Sequence, residues 1–238
     1  TDVATISSLS KYTSGCTYYY NRFHGPRDGV KFQSDLEHDL CRATAFESCM
    51  RVRATKGVRI ANYYGNYSLA ANNDLLSLPN CTSDSVFTLD FALEEPVLAA
   101  QVITVQAALL FTNSNGERRI RVLTMVLPVC HTIQEMVDTV DIDATMNVLT
   151  KQAIEIASKT GFENARNQVH KATIDMLRCL RPQAHMGAPM PMSMPQEVSI
   201  PATLQLLPLY SMALQKSLVL RGGNEVMCDE RAFYLQLV

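Results

Sequence analysis

Ala100-Gln-Val-Ile-Thr-Val-Gln-Ala-Ala-Leu-Leu-Phe111, Thr112-Asn-Ser-Asn-Gly116 and Glu117-Arg-Arg-Ile-Arg121-Val-Leu-Thr-Met-Val-Leu-Pro128 follow one another without a break. Two apolar, β-branched runs flank a short Asn/Ser/Gly turn, and that order predicts a β-hairpin. Arg118, Arg119 and Arg121 add positive charge just past the turn. Upstream the pattern stays β. Over 85–93, Phe87, Leu89, Phe91 and Leu93 alternate with polar or small residues, and Lys56-Gly57 is a tight-turn candidate ahead of another strand over 58–64. Residues 46–130 therefore predict an antiparallel sandwich or barrel.

Downstream of Pro128 the period changes. Thr132-Ile-Gln-Glu135 has the form of a capping box. Ile142, Met146, Leu149, Ala153 and Ile156 then step by helical intervals, as do Ala165, Val169, Ala172, Met176 and Leu180 until Pro182. A helix restarts near Pro208 and runs to Gly222-Gly223, and a last one starts near Asp229. Residues 131–238 thus predict a helical domain. It is interrupted over 183–196 by a Met/Pro-biased stretch, His185-Met-Gly-Ala-Pro-Met-Pro-Met-Ser-Met-Pro195, read as a connector loop. Residues 1–45 predict a helix over 3–13 stopped by Gly15, a strand over 16–20, and an amphipathic helix marked by Val30, Phe32, Leu36 and Leu40. Three elements of that size cannot bury a core of their own.

Within the β zone, Met50-Arg-Val-Arg53 holds the main candidate for chemistry. Side chains alternate across a strand, so Arg51 and Arg53 share a face about 7 Å apart, with Met50, Val52 and Ala54 on the other. Two guanidinium forks at that spacing suit two carboxylates that are themselves two residues apart in an extended peptide. On local pattern alone, a solvated sheet face is the commoner reading.

Composition excludes several classes. The chain has 238 residues, 47% hydrophobic and 18% charged, with net charge −2. A nucleic-acid binder carries a basic excess that this chain lacks. Seven cysteines are irregularly spaced with no CxxC pair, which predicts reduced thiols and neither a disulfide framework nor a zinc site. Five dispersed histidines give no metal-ligand spacing. No GxSxG, HExxH, P-loop or GxGxxG motif occurs in a fitting context, so nothing points to an enzyme. Asp138, Asp141 and Asp143 suit a helix start better than acid–base work. No run approaches the roughly 18 apolar residues of a membrane span. The chain starts without Met and stops on an apolar, helix-like run, and it reads as a piece of a longer protein.

Thr5-Ile-Ser-Ser-Leu-Ser-Lys-Tyr-Thr13, Tyr18-Tyr-Tyr20, Met50-Arg-Val-Arg53, Asp74-Leu-Leu-Ser-Leu-Pro79, Gly116-Glu-Arg-Arg-Ile-Arg-Val122 and Leu206-Leu-Pro-Leu-Tyr210 occur in that order. In this the chain resembles the cargo-adaptor subunit of the COPII inner coat, over nearly its whole length. The resemblance implies an α+β multidomain fragment: the C-terminal tail of an α/β, von Willebrand A-like trunk (1–45), a β-sandwich (46–130) and a helical domain (131–238). It implies a non-enzymatic subunit that selects cargo for vesicles leaving the endoplasmic reticulum (ER). The implied location is cytoplasmic and peripheral, on the ER membrane at exit sites.

Its implied partners are a GTPase-activating sister subunit and the tails of cargo membrane proteins and SNAREs bearing acidic export signals, with no nucleic acid. The resemblance places a cargo-peptide site for Asp-x-Glu signals on Arg51 and Arg53, with an apolar contact at Leu109. Leu109 also shares parity with Ile103, Val105, Ala107 and Phe111, the more apolar face of its strand, which fits a core position. No cofactor is implied for these residues. Zinc is expected in the parent protein, upstream of residue 1. The alternatives are the sister GTPase-activating subunit, whose motifs match less well, and an extracellular β-sandwich interaction module, which the seven cysteines disfavour.

Overall fold

The structure is a computed structural model that describes residues 2–69, 74–95, 98–180, 200–223 and 225–237. Three helices come first: α1 (Val3–Ile6), α2 (Ser8–Thr13) and α3 (Gly25–Cys41). Seven strands follow: β1 (Thr44–Ala54), β2 (Val58–Tyr64), β3 (Ser68–Leu69), β4 (Leu75–Thr82), β5 (Thr88–Leu93), β6 (Val102–Thr112) and β7 (Arg118–Pro128). The described elements after β7 are helical: α4 (Ile133–Asp138), α5 (Ile142–Thr160), α6 (Phe162–Cys179), a 3₁₀ turn over Ala202–Leu204, α7 (Leu207–Lys216) and α8 (Cys228–Leu237). The expected order of an antiparallel β-sandwich and then helices is present.

The chain divides into two compact units, Thr1–Val129 with Val226–Val238, and Cys130–Glu225. In the first, β3-β4-β1-β6-β7 form one antiparallel sheet, and β2-β5 pair as a second. The hairpin β6–β7 runs in unbroken register from Val102↔Pro128 to Thr112↔Arg118. Its turn closes because the Asn113 side chain accepts from the amides of Asn115 (3.1 Å) and Glu117 (2.9 Å), while Gly116 takes φ +82°. Met50, Val52, Leu76, Leu78 and Val105 of the larger sheet form the core, and Ile60, Tyr63 and Leu89 of the smaller sheet pack against them. Apolar residues at every second position of β1 and β4 produce this layer, because only one face of each strand meets the other sheet.

Two expectations fail in the N-terminal region. Residues 16–20 form no strand. The Tyr18 and Tyr20 hydroxyls instead donate to Asp39 (2.8 Å) and Asp35 (2.5 Å) of α3, so this segment is held by side chains and not by a ladder. The helix over 3–13 is split at Ser7, where serine hydroxyls compete for the backbone: Ser7 donates to Ala4 O (3.0 Å) and Ser10 to Ser7 O (2.8 Å).

The second unit packs α5 and α6 against each other, with Val137, Leu149, Leu204 and Leu207 at a core that α4 and α7 complete. Thr132 accepts from the Glu135 amide (3.2 Å), as its capping-box form predicts. Asp141 accepts from the amides of Asp143 (2.9 Å) and Ala144 (3.2 Å), so the acidic cluster contains the N-cap of α5. A buried hydroxyl pair, Thr173 and Ser211 at 2.7 Å, ties α6 to α7.

The helical zone read over 131–238 departs from the packing at its end. α8 belongs to the first unit, where Val3 N donates to Asp229 Oδ1 (3.0 Å) and the Tyr19 and Phe233 rings lie 5.9 Å apart. The connector loop expected over 183–196 lies outside the described residues.

Candidate functional site

β1 is the middle strand of its sheet, paired with β4 on one side and β6 on the other. Its Ser48, Met50 and Val52 are buried while Arg51 and Arg53 are exposed. The strand's alternation therefore delivers both guanidinium groups to solvent from one face. Residues paired across an antiparallel ladder also share a face. Arg51 thus lies in a row with Leu75 of β4, Ala108 of β6 and Val122 of β7. Arg53 lies beside Gln106, whose amide donates to Thr124 (3.1 Å). The face around the arginines is low and partly apolar at Ala108 and Val122, and polar at Gln106 and Thr124.

Leu109 does not join this site. It pairs with Met50, and it packs on the core cluster with Met50, Leu76 and Leu78. Register puts it on the opposite face from Arg51 and Arg53, so the apolar contact expected at Leu109 is corrected to a core position. Its neighbour Leu110 takes the arginine parity.

The second arginine group is also dispersed by register. Arg121 pairs with Leu109 and Arg119 with Phe111, both on the parity opposite to Arg51. Arg118 stands at the far end of β1, where Phe46 pairs with Thr112. It donates to Glu47 O (2.8 Å) and Thr112 Oγ1 (2.9 Å). Those bonds pin a β-bulge, since the β1–β6 register shifts between Phe46 and Cys49 and Glu47 takes φ +48°. Arg118 has a structural task, and Arg119 pairs with Glu117.

One participant is invisible to local sequence patterns. Asp74, the residue before β4, accepts from Arg51 Nη2. The two side chains are 44% and 46% exposed, so the pair is open to water. Tyr63 lies close enough to feel Asp74: burial first, and the Asp74 charge second, push its phenol upward. Asp74 falls within one of the quoted motifs, but only the β1–β4 register, in which Leu75 faces Arg51, brings it to the arginine.

The remaining chemistry-bearing groups do not converge. All seven cysteines are free thiols. Among the described residues, no three His, Cys, Asp or Glu side chains come together in a way that could hold a metal ion. His38 bonds Asp84 at 2.7 Å, and that contact, followed by Arg42, holds the Asp84 carboxyl below its usual range. Among the described residues no helix is long and apolar enough to cross a membrane. The arginine face can bind anions.

Comparison with known proteins bears on this geometry. Residues 1–40 match the Sec23/Sec24 trunk domain, 45–130 the Sec23/Sec24 beta-sandwich domain and 141–238 the Sec23/Sec24 helical domain. Human "Protein transport protein Sec24B" is 34% identical over 235 residues, covering 98% of this chain and 18% of that protein. "Protein transport protein SEC24 A" of Arabidopsis thaliana is 37% identical over 236 residues, covering 97% of this chain and 22% of that protein. The chain thus spans about a fifth of the length of these relatives. Among solved structures, "Crystal structure of the human COPII-coat protein Sec24c" superposes with a TM-score of 0.88 at 28% identity, over 99% of this chain and 30% of that one. Three successive domain models, relatives aligned over nearly all of this chain and a shared fold agree: the chain belongs to the Sec23/Sec24 family.

Proposed function

We propose that this chain is the cargo-reading part of a Sec24-type COPII coat subunit, and that Arg51 and Arg53 bind acidic export signals of the Asp-x-Glu type. The observation that carries the reading is the exposed arginine pair on one face of β1, in a chain of this family. In an extended peptide, carboxylates two residues apart share a face at the spacing of Arg51 and Arg53, and a bidentate guanidinium–carboxylate pair is the strongest contact two such surfaces can make. The chain acts by binding and not by catalysis. Its parent protein works from the cytoplasm as a peripheral protein at ER exit sites, beside a GTPase-activating sister subunit. It takes the tails of cargo membrane proteins and SNAREs and no nucleic acid. The parent's zinc site lies upstream of residue 1.

The test is fluorescence or calorimetric titration of the full-length protein with an Asp-x-Glu peptide. Loss of one charge-assisted contact is worth roughly 1.5–3 kcal/mol, about tenfold or more in Kd, so Arg51→Ala with Arg53→Ala should weaken binding by that factor at least. Binding should also fall as salt rises. Equal affinities for two folded proteins would return the pair to an ordinary solvated face.

A further inference from the structure

Arg51 and Arg53 share a face but differ in their surroundings. Arg51 stands on the β1–β4 ladder opposite Leu75, with the Asp74 carboxylate on its Nη2. Arg53 lies two residues further along β1, paired with Gln106 of β6. It makes no ion pair with a described residue. Among the described residues, Arg51 is engaged by the chain's own carboxylate and Arg53 by none.

We propose that Asp74 is an internal stand-in for a ligand carboxylate, which an acidic peptide docks beside on Arg53 and displaces from Arg51. The inference rests on the reading of the arginine pair given above. The chemistry is that of like replacing like: Asp74 offers Arg51 the same group that the peptide offers. An ion pair this exposed is weak, so it can be exchanged at little cost. It is still present whenever the site is empty, because Asp74 is tethered beside Arg51 and the peptide must come from solution. Asp74 also cancels one of the two positive charges. A doubly acidic peptide therefore approaches a site of net charge about +1, and its second carboxylate gains only the difference between its own contact and that of Asp74. Asp74 thus acts as a threshold on the site and favours peptides that engage both arginines firmly.

The experiment titrates the full-length protein with the labelled peptide Ala-Asp-Ala-Glu-Ala, and with its Asn/Gln counterpart, at low and at physiological salt. The proteins are wild type, Asp74→Asn, Arg51→Ala, Arg53→Ala and the double variant Asp74→Asn with Arg51→Ala. Asparagine keeps the size of Asp74 and an oxygen that can accept from Arg51, and Asp74→Ser serves as a second variant. The expected result is acidic-peptide binding about two- to fivefold tighter in Asp74→Asn at low salt, with the gain shrinking as salt rises. The gain should largely vanish in the Arg51→Ala background, because the effect passes through that contact. If both arginine variants weaken binding while Asp74→Asn equals or falls below wild type, the site stands and the stand-in role is overturned; Asp74 then props Arg51. A gain that persists in full without Arg51 overturns it as well. If neither arginine variant weakens binding, the site reading and this inference fall together.

Discussion

β1 and β7 are each eleven residues long and lie in one sheet, yet they lead opposite lives. β1, in the middle, buries Ser48, Met50 and Val52 and exposes Arg51 and Arg53. β7, at the edge, is exposed at every position, although Ile120, Val122, Leu123, Met125, Val126 and Leu127 are apolar and occupy both faces. In β1 the residue types announce which face is inside. In β7 they announce only a strand, because a run apolar on both faces is the pattern of a strand covered on both sides. Burial is set by the neighbours that topology supplies, and side-chain chemistry reports it only where polar and apolar positions alternate.

The largest effect expected from this contrast is on stability. Leu78, fully buried behind β1, should lose about 2–5 kcal/mol on substitution by alanine. Leu123→Ala on β7, where the side chain is 61% exposed, should stay within about 0.5 kcal/mol. Hydrogen exchange of the β1 amides reports the β unit by itself and is the measurement to use. Comparable losses from both substitutions would mean that β7 is covered in solution, and the contrast would collapse.

The same logic explains what could be read from the sequence. The arginine pair was legible because strand alternation is local: Met50 and Val52 fix the face on which Arg51 and Arg53 must lie. The hairpin was legible because Asn113 and Gly116 carry its turn chemistry. Leu109 was not legible, since its face relative to Arg51 depends on pairing between two strands, and only the register Met50↔Leu109 decides it. Asp74 was missed for the same reason. The strand expected over 16–20 failed because tyrosine favours strands in general, whereas here Tyr18 and Tyr20 are held by two aspartates of a helix that sequence alone cannot bring near. α8 read correctly as a helix but packs on α1 through Asp229 and on Tyr19 through Phe233, contacts that span nearly the whole chain.

A smaller effect sharpens the link between the two strands. Arg118 of β7 reaches past β6 to the bulged carbonyl of Glu47 on β1 and bonds Thr112 on the way. Its side chain is half-exposed, so its two bonds together contribute about 1 kcal/mol. Arg118→Ala should lower stability by about that amount and speed amide exchange at Ser48 and Cys49, next to the bulge. Arg118→Lys keeps the charge but loses the fork, and should recover less than half of the loss. Unchanged exchange at the bulge in Arg118→Ala would show that Glu47 keeps its left-handed conformation without help from β7.

The smallest effect is kinetic and reads burial directly through thiol chemistry. Cys16, Cys41, Cys130, Cys179 and Cys228 are exposed, while Cys49 on β1 and Cys81 on β4 are half-buried. The thiolate is the reactive form. Burial pushes the Cys81 thiol up, and a hydrogen bond with the Ser85 hydroxyl only partly offsets this. A raised pKa means a smaller thiolate fraction at any given pH, so the reaction of Cys81 should reach half its limiting rate at a higher pH than an ordinary thiol would. Titration of the native protein with a thiol reagent at neutral pH should therefore show five fast groups and two slow ones, with Cys81 slowest. The probe extends to the edge strand: a Leu123→Cys variant should add one group to the fast phase, since nothing on β7 shields that position. An added group in the slow phase would place a cover over β7, and a Cys81 as fast as Cys228 would mean that β4 opens faster than the reagent attacks.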